Sequence, residues 1–249
     1  MPTEHTFDTV AAVAIAALPS PLSDPAFPRV LPRRDAAART HLDDVSRRGA
    51  PVVLARERVL PIPGPLGALF PDGALQRGTV TTIGGDPGAG ATSLAFGLAA
   101  AATAAGEWAA AVDLHGTLGG LAAAESGVEL SRFAVVRDVS NDRWATVVAA
   151  LLDGVSLVMA DVPRGLRAGD AHRLVARARE RSTVLVMMSS SARAWPADAA
   201  LRLWAVGGPW SGLEAGRGVL VPRALRLRVE GRGLAPGVRT VAGPLALTG

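Results

Sequence analysis

Residues Gly85-Asp86-Pro87-Gly88-Ala89-Gly90-Ala91-Thr92 fit the phosphate-loop pattern G-x-x-x-x-G-K-[ST] at every fixed position but one. Ala91 stands where the lysine belongs. The pattern is compatible with few local structures: a strand, a tight glycine turn, and a helix whose first N–H groups converge on an anion. Gly85, Gly88 and Gly90 give the backbone that freedom, Thr92 occupies the place of a Mg²⁺-ligating hydroxyl, and Ser93 follows it. No other lysine can reach in, because all 26 basic residues are arginine. A charged hydrogen bond of the missing kind is worth about 1.5–3 kcal/mol, or about one to two decades of affinity. Phosphoryl transfer, which depends on placed positive charge, loses more. Arginine is longer and forked and is no simple replacement. The loop therefore predicts a protein that is not an enzyme and has no cofactor, with weak ATP and Mg²⁺ binding as the competing expectation.

The flanks of the loop agree with that local structure. Residues 79–83 are β-branched and read as a strand, and residues 92–105 form an alanine-rich stretch, apolar almost all round, as in a buried helix. Gly106 is placed to end it. Further strands are expected at 108–112, 134–137, 156–160 and 183–188, with helices at 142–152 after Ser140-Asn141 and from Asp170, as a cap, to 181. Alternating strands and helices of these lengths predict α/β architecture with right-handed crossovers and a mostly parallel sheet. After Pro196 the helical signal fades. Segments 201–206, 218–221 and 225–230 read as an antiparallel extension.

Upstream, prolines at 19, 21, 25, 28 and 32 mark a linker, followed by a charged helix over 35–48 and a short strand at 51–55. A second proline-rich segment, 61–71, leads into the core. The expected organisation is an N-terminal arm at 1–60, an α/β core at 61–206 and a basic β extension at 207–249. The apolar stretch 10–18 is too short to span a bilayer and follows acidic rather than basic residues, unlike a secretory signal. Cysteine is absent, which removes disulfides, thiolate metal sites and cysteine nucleophiles. Both observations fit a cytoplasmic protein without membrane contact. The scattered His5, His41 and His172 predict no metal site. The arginine-only basic set and the abundance of alanine and glycine follow the coding habit of a GC-rich genome, so a net charge of +4 is a weak argument for nucleic-acid binding.

Asp161 ends the apolar segment 156–160, seventy-six residues beyond Gly85, and fits the second acidic position of phosphate-loop folds. With these residues in hand, the chain resembles the RecA family. The lead-in from Leu69 through Arg77-Gly78 to Gly85 is similar to the turn feeding the first RecA core strand. Ala111-Val112-Asp113-Leu114-His115 resembles the strand end where RecA carries Asp, a spacer and a catalytic Glu. The Asp matches at Asp113, whereas His115 takes the Glu position, so the resemblance implies that the activating carboxylate is missing too. Gly127-Val128-Glu129-Leu130 resembles a further RecA step, and the likeness spans about residues 35–206. The spans after Asp161 and after Met188 are too short for the two long loops with which RecA grips DNA.

Within that superfamily the chain most resembles the ImuA type, in particular its actinobacterial ImuA′ branch: degenerate RecA homologues that act as accessory proteins of translesion synthesis. The resemblance implies an adaptor in the DNA-damage (SOS) response, partnered by ImuB, a Y-family polymerase homologue, by a C-family DNA polymerase and by RecA. It further implies partner contacts in the helix-plus-strand element at 35–55, which suits strand augmentation. Two alternatives stay open: a weak ATP-binding RecA paralogue that binds DNA, and a SulA-like division inhibitor.

From residue 201 onward, Arg202, Arg217, Arg223, Arg226, Arg228, Arg232 and Arg239 stand against Glu214 and Glu230, a local charge of +5. Arg226 and Arg228 share strand parity and should project from one face. Arg223, Arg226, Arg228 and Arg232 thus mark a candidate DNA or partner surface, with Trp204 or Trp210 available for stacking. The plain alternative is a solvated sheet face with Trp204 in the core. The arginines of 171–181 fit a solvated outer helix.

Overall fold

A computed structural model describes residues 58–191, 194–207, 212–214, 217–219, 224–231 and 237–241. The expected helix at 35–48 and strand at 51–55, together with Arg223, Arg232 and Trp210, lie outside the described residues. So does the expected strand end at 220–221.

The chain builds outward from Val80–Gly85 (β3), a β-branched strand that turns through the glycine loop into the helix Ala91–Ala104 (α1). Ahead of it, Val59–Pro61 (β1) and Ala74–Gln76 (β2) pair antiparallel as a separate ribbon. After α1 come Ala109–Val112 (β4), Gly120–Glu125 (α2), Phe133–Val136 (β5), Asn141–Gly154 (α3), Leu157–Asp161 (β6), Ala168–Arg181 (α4) and Val184–Ser189 (β7). Leu201–Val206 (β8), the two-residue strands Leu213–Glu214 (β9) and Arg217–Gly218 (β10), Leu225–Gly231 (β11) and Gly237–Val241 (β12) complete the order.

Eight strands form one sheet in the order β12-β11-β8-β3-β7-β6-β4-β5. The stretch from β8 to β5 is parallel throughout, and β11 and β12 add to it antiparallel. The α/β expectation with a mostly parallel sheet therefore holds. The antiparallel part begins later than expected: β8 pairs parallel with β3 over Thr81↔Leu201 to Gly85↔Ala205. The segment after Met188 re-enters the sheet on the far side of β3, so this strand runs with its neighbour. Gly218 belongs to the β9–β10 ribbon, outside the main sheet.

Two apolar layers flank the sheet. On one face, α1 packs on Ile83, Met159, Val186 and Leu203, and its outer side is covered by Leu60, Leu66, Leu69, Phe70 and Leu75. Enclosure on both sides explains why α1 has no polar face. The proline-rich segment does this covering through two 3₁₀ turns, Pro65–Leu69 and Pro71–Gly73, which satisfy backbone groups that its prolines keep out of a ladder. On the other face, α3 and α4 pack on Val158, Ala160, Leu185 and Met187 through Trp144, Val148, Leu152, Leu174 and Ala178. Burying side chains of this size contributes about 1.5–3 kcal/mol each.

Gly106 ends α1 as expected, at φ 80°. Asp170 does not cap α4: Arg167 holds the N-cap, and Asp170 sits in the first turn, accepting from Arg167 Nε at 3.1 Å and from Arg173. A carboxylate there is favoured by the helix dipole without being the cap. Arg177 and Arg181 of α4 both reach Asp153 of α3, with Arg177 Nε at 2.8 Å from Oδ1, so they are tied to a neighbouring helix. No helix among the described residues is long and apolar enough to cross a membrane.

Candidate functional site

The helix after β3 lies on one face of the sheet and the helices after β5 and β6 lie on the other, so the loops at the strands' C-terminal ends diverge. A crevice opens there, where open α/β sheets place their ligands. It is a cleft of about 1030 Å³ whose walls include Gly85, Gly88, Gly90, Ala91, Thr92, Ser93, His115 and Asp161. Structure thus gathers at one place residues that the sequence spreads over seventy-six positions.

The loop has the expected glycine logic, for two different reasons. Gly88 and Gly90 have φ of 70° and 100°, in the left-handed region where a Cβ is penalised. Gly85 is held by packing: a Cβ there would meet the Ala205 Cβ at 2.7 Å and the Ala205 carbonyl oxygen at 2.9 Å. Gly84 is tighter still, with Trp204 at 2.5 Å and the Ser189 carbonyl at 2.7 Å from such an atom. Asp86 ties the loop down. Its N–H donates to the Ala205 carbonyl at 3.1 Å, and its Oδ2 accepts from Gly207 N at 3.2 Å. Thr92 and Ser93 are exposed in the first turn of α1, while Ala91 packs partly against the core.

The two acidic residues differ in their situation. The Asp113 side chain is fully buried. Burial raises its pKa, but N–H groups of Leu118 (3.1 Å) and Thr117 (3.0 Å) and the Arg137 guanidinium (3.1 Å) outweigh that and hold it below the ordinary carboxylate value. Asp113 organises the turn between β4 and α2 and does not line the cleft. Asp161 does line it. Burial pushes its pKa up, against the N–H of Leu114 and the charge of His115, and the nearby Asp113 charge pushes it further. Leu114 N donates to Asp161 Oδ2 at 3.0 Å.

The turn into α1 has left-handed glycines at 88 and 90, and Thr92 brings an exposed hydroxyl to the cleft. The chemistry of the donor set does not fit Mg²⁺-dependent phosphoryl transfer. Ala91 supplies no charge, His115 stands where the resemblance expects a carboxylate, and one Asp161 oxygen is taken by a backbone N–H. No group of three His, Asp or Glu residues able to hold a metal occurs among the described residues.

Sequence reasoning missed Arg164, in the turn after β6, and Ser189, at the end of β7, which also line the cleft. Their positions directly after strand ends were the available signal. It also missed Arg137, which no motif marks. Arg226 and Arg228 project from one face of β11, as expected from their parity, alternating with buried Leu225, Leu227 and Val229. They do not line the loop cleft, although Ala224 and Leu225 beside them do. Trp204 is half-buried on that same sheet face, above Gly84, neither free nor in the core.

Residues 68–197, just over half of the chain, match the profile of the MT3502 N-terminal domain. The chain is similar to the uncharacterised protein Rv3395c of Mycobacterium tuberculosis (strain ATCC 25618 / H37Rv), at 34% identity over 190 residues, covering 73% of this chain and 88% of that protein. The residues matched by that profile contain the glycine loop, Asp113, His115 and Asp161, whereas Ala224 and Leu225, which also line the cleft, lie beyond them. On both comparisons, the chain belongs to the family of the MT3502 N-terminal domain.

Proposed function

We propose that the chain is a non-catalytic adaptor with a RecA-like phosphate-loop core, which docks an ImuB-like protein and a C-family DNA polymerase in a DNA-damage-induced mutagenic translesion complex. The observation that carries this reading is the split between form and chemistry in the cleft. The turn into α1 keeps its glycine geometry and its place at the strand ends. Of the side chains that the phosphate-loop pattern calls for, the lysine is replaced by Ala91, and one oxygen of Asp161 is held by the Leu114 N–H. A core kept for its frame acts through its surfaces, as an adaptor does.

The test is reciprocal co-purification from a DNA-damaged host, with the tagged chain as bait. Recovery of an ImuB-like protein that depends on damage and persists after nuclease treatment is expected. Its absence, with filamentation on overexpression, would favour the division-inhibitor reading and sink this one.

A second reading, a weak nucleotide-binding switch, draws on Arg164, an arginine lining the same cleft as the N-terminus of α1. Tight Mg²⁺-dependent binding of a fluorescent ATP analogue by the unaltered chain would favour it.

A further inference from the structure

In α/β architecture both faces of a sheet are normally covered by a second layer. Here α3 and α4 cover the second face behind β4, β6, β7 and the start of β3, through Trp144, Leu152, Leu174 and Ala178, and Trp195 and Ala197 join the same cluster. Among the described residues no helix covers that face over β8, β11 and β12. The residues projecting there are Arg202, Trp204 and Val206 from β8, Arg226, Arg228 and Glu230 from β11, and Val238 and Thr240 from β12. Arg228 stands directly opposite Trp204 on one side and Val238 on the other.

This face has the composition of a docking surface. Arg226 and Arg228 are exposed and make no ion pair or hydrogen bond with any described residue. Val238 is 54% exposed, and Trp204 and Val206 are half-buried. Beside Trp204 the face dips into a cavity of about 310 Å³, whose walls include Trp195, Arg202 and Arg228. Tryptophan and arginine around a pocket are the residue types that carry most binding energy at protein interfaces.

We infer that this helix-free half-face binds an acidic amphipathic helix of a partner protein. The apolar stripe of the helix lies on Trp204, Val206 and Val238, one large apolar side chain enters the cavity beside Trp204, and flanking carboxylates pair with Arg226 and Arg228. Three strands at about 4.8 Å spacing make a platform that roughly ten residues of helix cross at 1.5 Å each. The arginine fork matches a carboxylate bidentately, and two guanidinium groups without a partner among the described residues are what an acidic flank complements. A single-stranded nucleic acid fits less well. It requires a continuous cationic track with stacking platforms, whereas here the apolar Trp204, Val206 and Val238 interrupt the arginines and Glu230 faces Arg202 at one end. The inference rests on this face alone and stands or falls independently of the translesion reading.

Fluorescence anisotropy with the full chain tests it, using two labelled designed helices that share a Leu/Trp stripe, one flanked by Glu and one by Lys, alongside a labelled oligothymidylate. The Glu-flanked helix is expected to bind at low salt, at least about tenfold tighter than the Lys-flanked one. Arg226→Glu/Arg228→Glu is expected to weaken it about tenfold or more. Val238→Glu, at an exposed site that leaves the core untouched, is expected to weaken it as well. Absence of Glu-helix binding, equal binding by both variants and the unaltered chain, or tighter binding of oligothymidylate lost in the arginine variant would overturn the inference.

Discussion

Asp161 Oδ2 accepts the backbone N–H of Leu114 at 3.0 Å, so the carboxylate at the end of β6 holds the turn that leaves β4. Two strand ends that line one cleft are thereby stitched together by a side chain from one and a peptide group from the other.

That stitch has a pH signature. Burial raises the Asp161 pKa, so its folded-state value lies above its unfolded one. Its contribution to stability is full below the ordinary carboxylate pKa and falls as pH rises through the raised value. Asp161→Asn keeps an acceptor for Leu114 N–H and removes the buried charge. It should equal or exceed the parent in thermal stability at neutral pH, and the gain should vanish below about pH 4. A Tm series from pH 3 to 8 checks this, and a large loss at pH 7 would contradict it.

Asp113 runs the other way. Its pKa is depressed because N–H groups and Arg137 outweigh burial, so its stabilisation is present above the ordinary carboxylate range and lost as pH falls through the lowered value. Asp113→Ala leaves the Thr117 and Leu118 N–H groups without their acceptor, and each such group costs about 1–3 kcal/mol where it is buried. Denaturant titration should show that loss at pH 7 and a smaller one in strong acid.

Ala91→Lys places a positive charge in a loop whose glycine turn is already formed. Affinity for an ATP analogue should rise by about one to two decades, while hydrolysis stays at background because His115 brings no carboxylate to the cleft. Isothermal titration and a phosphate-release assay separate the two effects. Unchanged affinity would mean that the loop cannot accept a phosphate.

Gly85 is held by packing, Gly88 by φ. Gly85→Ala forces its new methyl against Ala205 and should cost about 1–3 kcal/mol, or about 2–4 °C in Tm for each of these. Ala205→Gly in the same molecule should recover part of the loss, because one of the colliding atoms is gone. Gly88→Ala should cost about 1–2 kcal/mol through its backbone conformation, and Ala205→Gly should not relieve it.

Much of the core was legible from residue order. The β-branched strand before the loop, the alanine-rich helix after it and the apolar strand ending at Asp161 all appear within one or two residues of their expected bounds. Local pattern reports such elements because their periodicity follows directly from burial. Pairing is different. The direction of β8 depends on which side of β3 the chain returns to, and nothing within Leu201–Val206 encodes that. Strand β12 escaped notice because its outward residues and flanking glycines dilute its alternation. By sequence, Asp113 and Asp161 look alike as acids at strand ends. Only the three-dimensional arrangement of Thr117, Leu118 and Arg137 shows that the first is a structural brace, while the second faces the crevice.

The enclosure of α1, with the sheet on one side and the β1–β2 ribbon and 3₁₀ turns on the other, has an evolutionary corollary. The atoms that fix the frame at the loop (Gly85 against Ala205, Asp86 on Gly207, Leu94 in the core) differ from those that would touch a phosphate (the side chains at 91, 92 and 115). Selection can therefore discard the second set at almost no cost to the first. The contents of the cleft are thus free to vary while its frame stays fixed.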